Sequence, residues 1–353
     1  MPDMLYVGLQ DDNRIVLFAV DRDTGGLTRR ADVAAAGGPS VTAISPNRGT
    51  LYVGCREQPS IASYRIDPAT GDLSLLATAA QADAPTFLAP DRTGRYMLCA
   101  YYQGGYVAVY PVAADGTIGA PAIDTQKTAI GAHAIAADPS NRFAFVPHIA
   151  RIQDNVLEPP KNNPGPNVIL QYRFDAQTGR LSPNTPHRVE QGDLVGPRHY
   201  IHHPSLDVVY FSNEQGCSVT AYRLDRANGT LSSVQTISSL PAGHSERTTC
   251  SQIHLTPSGR FLYVGNRAAN SSNIAAFAVD PAAGHLTAAG HISTEAVPSA
   301  FCVDPAGHFL FAVGTASGRL ASYRINQQSG ALTPLAVEEV GKRPAAVLAT
   351  HLA

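Results

Sequence analysis

The residues of this chain best suited to chemistry lie in Gly196-Pro197-Arg198-His199-Tyr200-Ile201-His202-His203-Pro204, followed after a short apolar run by Ser212-Asn213-Glu214. Arginine stays charged at any working pH, grips a carboxylate or phosphate through paired hydrogen bonds, and stabilises an oxyanion. Histidine and glutamate move protons near neutrality when their surroundings tune them. Closely spaced histidines also invite a metal reading. A strand, however, turns alternate side chains to opposite faces, so His199, His202 and His203 do not converge on one ion and no metal is expected. His199 and His202 are read as packing between structural units, with His199 also counted among the residues that touch substrate. His203, just before a turn proline, is read as surface. No Gly-x-Ser-x-Gly elbow, Walker loop or His-Glu-x-x-His is present, which removes the strongest signals for a serine hydrolase, a nucleotide-binding enzyme or a zinc protease.

What must position these residues is a repeat. A turn leading into a short apolar strand recurs at Ser45-Pro46-Asn47-Arg48-Gly49-Thr50-Leu51-Tyr52-Val53, at Asp138-Pro139-Ser140-Asn141-Arg142-Phe143, at Thr256-Pro257-Ser258-Gly259-Arg260-Phe261-Leu262-Tyr263-Val264 and at sister positions. Interleaved with it is a hairpin signal, Asp21-Arg22-Asp23-Thr24-Gly25 or Asp175-Ala176-Gln177-Thr178-Gly179, in which Asp or Asn and Gly supply side-chain turn bonds and a positive φ. Each period of roughly 45 to 55 residues holds about four short strands, the content of one propeller blade. The expectation is an all-β, seven-bladed propeller over residues 1–353 as a single domain. The C-terminal strand near Arg343-Pro344-Ala345 should complete the sheet begun by the N-terminal residues, pairing edges that would otherwise invite aggregation. One interval breaks the period: the proline- and asparagine-rich stretch of about 148–167 reads as an ordered surface loop, either a lid or rim of the site or a plain insertion.

Aligning the copies puts Ser40, Thr86, His133, Arg198, Ser251, Ser299 and Ala345 near the start of the seven inner strands, facing a central channel. Most are small; His133 and Arg198 are not. A second set follows the next strand: Arg56-Glu57, Tyr101-Tyr102, His148, Asn213-Glu214 and Asn266-Arg267. These should rim the pocket whose floor the first set forms. His133, Arg198, Glu214 and Arg267 are the catalytic candidates, and His148, Arg56, Asn213, Asn266, Ser251 and His199 the candidates for holding substrate. Bases beside fixed positive charge suit a substrate that carries an anion and a carbonyl.

Composition narrows the partner. The formal net charge is −2 and charged residues are 15% of the chain, so there is no electrostatic footprint of a nucleic-acid or acidic-membrane binder. A small molecule is the expected partner, bound by a monomer or weak homodimer. The N-terminus lacks a signal-peptide pattern and no apolar run is long enough to span a bilayer. The 5 cysteines are odd in number, widely spaced and never in Cys-x-x-Cys, which fits reduced thiols in the cytoplasm.

The repeated Pro-x-x-Arg-x-Leu-Tyr-Val turns, Gly196-Pro197-Arg198-His199 followed by Asn213-Glu214, and Ile253-His254-Leu255-Thr256-Pro257 leading to Asn266-Arg267 resemble the seven-bladed-propeller lactonases, a family that includes bacterial 6-phosphogluconolactonase and fungal 3-carboxy-cis,cis-muconate lactonizing enzyme. The resemblance spans nearly the whole chain. It implies a cytoplasmic enzyme that opens or closes a lactone without an obligatory cofactor, with His133, Arg198, Glu214 and Arg267 at the family's active-site positions. The chain departs from the 6-phosphogluconolactonase pattern in the long connection after His148, which points to the branch acting on other sugar-acid lactones. The expected reaction is hydrolysis of a sugar-acid 1,5-lactone, with Glu214 or His133 activating water, Arg198 stabilising the oxyanion, and Arg267 with His148 holding the distal anion. The alternatives are a muconate-type lactonizing cycloisomerase and a non-catalytic propeller scaffold.

Overall fold

The computed structural model describes residues 3–150 and 165–352, which form seven four-stranded antiparallel sheets and, among the described residues, no helix. Blade 1 is Pro344–His351, Asp3–Leu9, Arg14–Val20 and Leu27–Ala34, in that spatial order. Blades 2 to 7 follow along the chain, with inner strands Pro39–Ile44, Phe87–Pro90, Ala136–Ala137, Pro197–His202, Thr249–Leu255 and Pro298–Val303. Neighbouring blades touch through their inner strands, except that blade 4 meets blade 5 through its second strand, Phe143–His148, against Pro197–His202, and blade 7 meets blade 1 through the contact of Pro298–Val303 with Pro344–His351. The closure expected from the sequence is present: Val347 pairs with Val7 and Ala349 with Leu5. Most of the expected insertion lies outside the described residues, but its two described ends meet, Ala150 N–H donating to Asn167 Oδ1 at 3.0 Å.

The two sequence signals have a shared structural purpose. In the hairpins the carboxylate of the leading Asp stands in for a backbone acceptor: Asp21 Oδ1 accepts from the N–H groups of Asp23 at 3.0 Å and Thr24 at 2.8 Å, and Gly25 closes the turn at φ +75°. The second-strand tyrosine then ties that hairpin to the neighbouring blade. Tyr6, Tyr210 and Tyr263 donate to the carbonyls of Gly71, Gly284 and Gly330, each the hairpin glycine of the next blade, at 2.7 to 2.8 Å. A buried tyrosine thus satisfies its hydroxyl while its ring fills the space between sheets, where seven apolar clusters form. His203, expected at the surface, is buried instead. Its Nδ1 accepts from Leu206 N–H at 2.9 Å, so the imidazole replaces the Asp or Thr acceptor of the sister turns.

The inner strands carry one further regularity. Five of them hold one residue more than their partners at the end where the site lies: the register shifts between Pro39 and Val41, Pro197 and Tyr200, Cys250 and Ile253, Pro298 and Ala300, and opposite the Gly8–Leu9 step. These are β-bulges, which break strict alternation and re-aim side chains.

Candidate active site

A central cavity of about 480 Å³ runs along the inner strands. Its charged wall comes from blades 4, 5 and 6. His133 precedes the short inner strand of blade 4, its N–H held by Pro147 O at 3.0 Å. Gly131 just before it has φ +110°, and a Cβ there would stand 2.6 Å from Ile149 O, so the bend that brings His133 to the axis needs glycine. Arg198 and His199 occupy the bulge of blade 5 and both line the cavity, although they are adjacent in sequence. Glu214 follows the second strand of blade 5, and Arg267 ends that of blade 6.

These side chains are bonded to one another. Glu214 Oε2 accepts from Arg198 Nε at 2.8 Å and forms an ion pair with Arg267 NH2 at 2.9 Å. Arg267 NH2 also donates to Cys250 O at 2.8 Å. The three side chains are 9%, 1% and 3% exposed for Arg198, Glu214 and Arg267, so two guanidiniums share one carboxylate out of water and the trio carries a formal positive charge. On its other side Arg198 NH1 lies 3.3 Å from His199 Nε2, and that nitrogen lies 3.2 Å from His133 Nδ1. Burial first, then the neighbouring Arg198 and His133, hold the His199 imidazole well below its usual range, so it is neutral. Phe87 and Tyr102 set ring edges against His199 and His133 at centroid distances of 5.0 and 5.8 Å.

The structure brings the catalytic and substrate-holding candidates His133, Arg198, His199, Glu214, Arg267 and Arg56 to the cavity and leaves the other four outside its lining, as it does Glu57, Tyr101 and Tyr102, which were expected at the rim. His148 is fully buried, its Nδ1 on Val146 O at 3.0 Å, and burial pushes its pKa down to about 4. Asn213 donates to Ser218 Oγ and Thr220 Oγ1, both at 2.9 Å, within its own blade. Asn266 donates to Ser239 O at 2.6 Å and Asn273 Oδ1 at 2.9 Å. Ser251 turns its hydroxyl to Pro298 O at 2.7 Å, tying blade 6 to blade 7. These four brace the scaffold; beside Asn213, Asn266 and Ser251 it is the next residue, Glu214, Arg267 or Gln252, that faces the channel. His202 packs between blades as expected, against Phe145 and Tyr200.

The cavity also shows residues that sequence reasoning missed, chiefly Arg343, Gln252 and His254. Arg343 carried a legible signal. It sits before Pro344 as Gly38 sits before Pro39 and Gly196 before Pro197, and all three adopt positive φ, at +50°, +76° and +65°. A non-glycine residue in that conformation is uncommon and marks a position held by its surroundings. With Arg56 of blade 2, Arg343 of blade 1 places positive charge on the wall across the channel from blade 5. Among the described residues no group of three or more His, Cys, Asp or Glu is arranged to hold a metal ion, and no helix is long and apolar enough to cross a membrane.

Comparison with known proteins agrees with this architecture. Residues 4–349 match the family model for the seven-bladed β-propeller lactonases. The chain is 35% identical over 259 residues to a 6-phosphogluconolactonase of Pectobacterium carotovorum, covering 73% of this chain and 72% of the relative. It is 32% identical over 344 residues to the 6-phosphogluconolactonase of Yersinia pestis, covering 98% and 97%. The solved structure of the periplasmic gluconolactonase PpgL from Pseudomonas aeruginosa superposes with a TM-score of 0.87 at 26% identity, over 100% of both chains. The turns, the blade count, the ring closure and the channel wall thus have one common explanation: the chain belongs to the seven-bladed β-propeller lactonase family.

Proposed function

We propose that the protein hydrolyses a sugar-acid 1,5-lactone that carries a second anionic group, opening the ring to the hydroxy acid. The observation that carries this reading is the buried wall in which the His133 imidazole is joined through His199 to a guanidinium fixed by a carboxylate, in a chain of a lactonase family. His133 takes a proton from water as the oxygen attacks the ring carbonyl carbon. Arg198 stabilises the oxyanion that forms, from a position already set by Glu214, so no reorganisation accompanies the charge. The tetrahedral intermediate collapses, the bond from the carbonyl carbon to the ring oxygen breaks, and the imidazolium returns the proton to that oxygen. Glu214 serves as the clamp rather than the base, because its Oε2 is already paired with two arginines.

Arg56 and Arg343, both lining the channel, take the substrate's distal anion in place of Arg267 and His148, which are engaged elsewhere or buried. The relatives named 6-phosphogluconolactonase support a phosphorylated lactone as the first substrate to try. The buried, unpaired thiols favour a cytoplasmic setting, and a monomer is sufficient because one chain supplies every residue named. The test is a panel containing 6-phosphoglucono-1,5-lactone, glucono-1,5-lactone and hexaro-lactones, with acid release followed against the spontaneous rate. Acceleration greatest for lactones with a second anion is expected; no acceleration of any lactone overturns the reading.

A further inference from the structure

His199 belongs to no step of the reaction above, yet it is the residue that joins its two actors. Its Nε2 lies 3.3 Å from Arg198 NH1 and 3.2 Å from His133 Nδ1. An arginine nitrogen only donates. If His199 carried its proton on Nε2, that N–H would point donor to donor at Arg198. The arrangement that satisfies both contacts leaves Nε2 as a lone pair, puts the His199 proton on Nδ1, and requires His133 to carry its own proton on Nδ1. The neutral state of His199, enforced by burial and by the adjacent arginine, is what keeps that lone pair available.

We propose, building on the lactonase reading, that His199 is a positioning residue: its Nε2 accepts from His133 Nδ1–H and so fixes the tautomer in which His133 Nε2 is the basic nitrogen. A carboxylate in this place would strengthen the base but would also draw Arg198 away from Glu214. A neutral imidazole orients His133 and takes a hydrogen bond from Arg198 without competing for its charge, so one ring sets both the base and the oxyanion partner. The bulge in blade 5 makes this feasible, because it lets Arg198 and His199 face the same channel.

The first measurement needs no substrate. Two-bond proton–nitrogen correlation spectra of ¹⁵N-histidine-labelled protein at pH 8, with the His133 signals assigned by their loss in His133→Gln, report the tautomer directly. Nδ1–H on His133 is expected, kept in His199→Gln, whose amide oxygen offers an acceptor near the Nε2 position, and lost in His199→Leu. Nε2–H on His133 in the wild type overturns the proposal. With the best lactone of the panel, His199→Leu should lower kcat on the order of 10²-fold with KM within about twofold, and should move the acid limb of the kcat profile to lower pH. His199→Gln should recover at least about tenfold of that loss. Equal losses in the two variants, or an unmoved acid limb, overturn it. If His199→Leu fails to fold, the wild-type and His199→Gln spectra still decide. Failure of every lactone would end the hydrolase reading while leaving the tautomer result to stand or fall alone.

Discussion

The channel has two unlike walls. On blades 4 to 6 the ionisable groups are buried and bonded to one another, in an unbroken series from His133 through His199, Arg198 and Glu214 to Arg267. Across from them, blades 1, 2 and 7 present Ala345, Ser40 and Ser299 from the inner strands, and the charges there, Arg343 and Arg56, come from the flanking connections. Fixed geometry belongs where charge develops during a reaction, since preorganised donors lose little on reaching the transition state. Adaptable geometry is enough where an existing anion is merely held. Under the proposed reaction the first wall would carry the chemistry and the second would hold the substrate.

The largest expected effect tests the first half of that division. Arg198→Ala should lower kcat on the order of 10³-fold by removing the oxyanion partner; a loss confined to KM would break the comparison. Glu214→Gln, read by urea denaturation, should cost about 3 kcal/mol or more, because it strips the compensating charge from two buried guanidiniums. Stability unchanged by that substitution would mean that the trio is not one unit.

Acid should weaken the fold as a whole. Burial pushes His148, His202 and His254 each down to about 4, below the ordinary 6.5, so only the unfolded chain takes up those protons between the two values. Their contribution is therefore complete above pH 6.5 and is lost as pH falls toward 4, on the order of 2 kcal/mol per histidine by pH 5. His202→Leu should remove one proton from the slope of unfolding free energy against pH in that window; an unchanged slope would show that His202 is not held neutral. On the other wall, Arg343→Ala should raise KM about tenfold with kcat nearly constant, a loss of uniform binding. A kcat loss matching that of Arg198→Ala would erase the distinction between the walls. Ser40→Ala, smallest of all, should change stability by less than about 0.5 kcal/mol.

Much of this molecule is legible in its residues. The Asp…Gly hairpins and the turn-plus-tyrosine strands fix the blade count because each supplies a local geometry few other residues can, and the tyrosine links one signal to the next. His133 and Arg198 could be named because large ionisable residues replace small ones at equivalent positions, and Glu214 and Arg267 because they follow the strands that return to the same mouth. The orientation of single side chains was less accessible. Counting in twos from a turn fails across a bulge, so Ser251 was placed in the channel and proved to tie two blades together, while Gln252 beside it faces the cavity. Asn213 and Asn266 precede the channel-facing Glu214 and Arg267 by one residue and turn the other way. Arg343 was overlooked because its position was compared with Ala345 rather than with the glycines that precede proline in sister blades.

The extra residue in five of the seven inner strands has a consequence for how such a molecule can change. A regular ladder would allow each blade one axial side chain per two positions, and a second could be gained only at the expense of the core behind it. The bulge detaches a short cassette from the pairing, so substitutions within it meet the cavity and leave the ladder's register alone. A ring built this way resembles a combination lock: each blade offers a dial of one or two residues, and lineages can reset the reaction or the substrate one dial at a time while the casing keeps its shape.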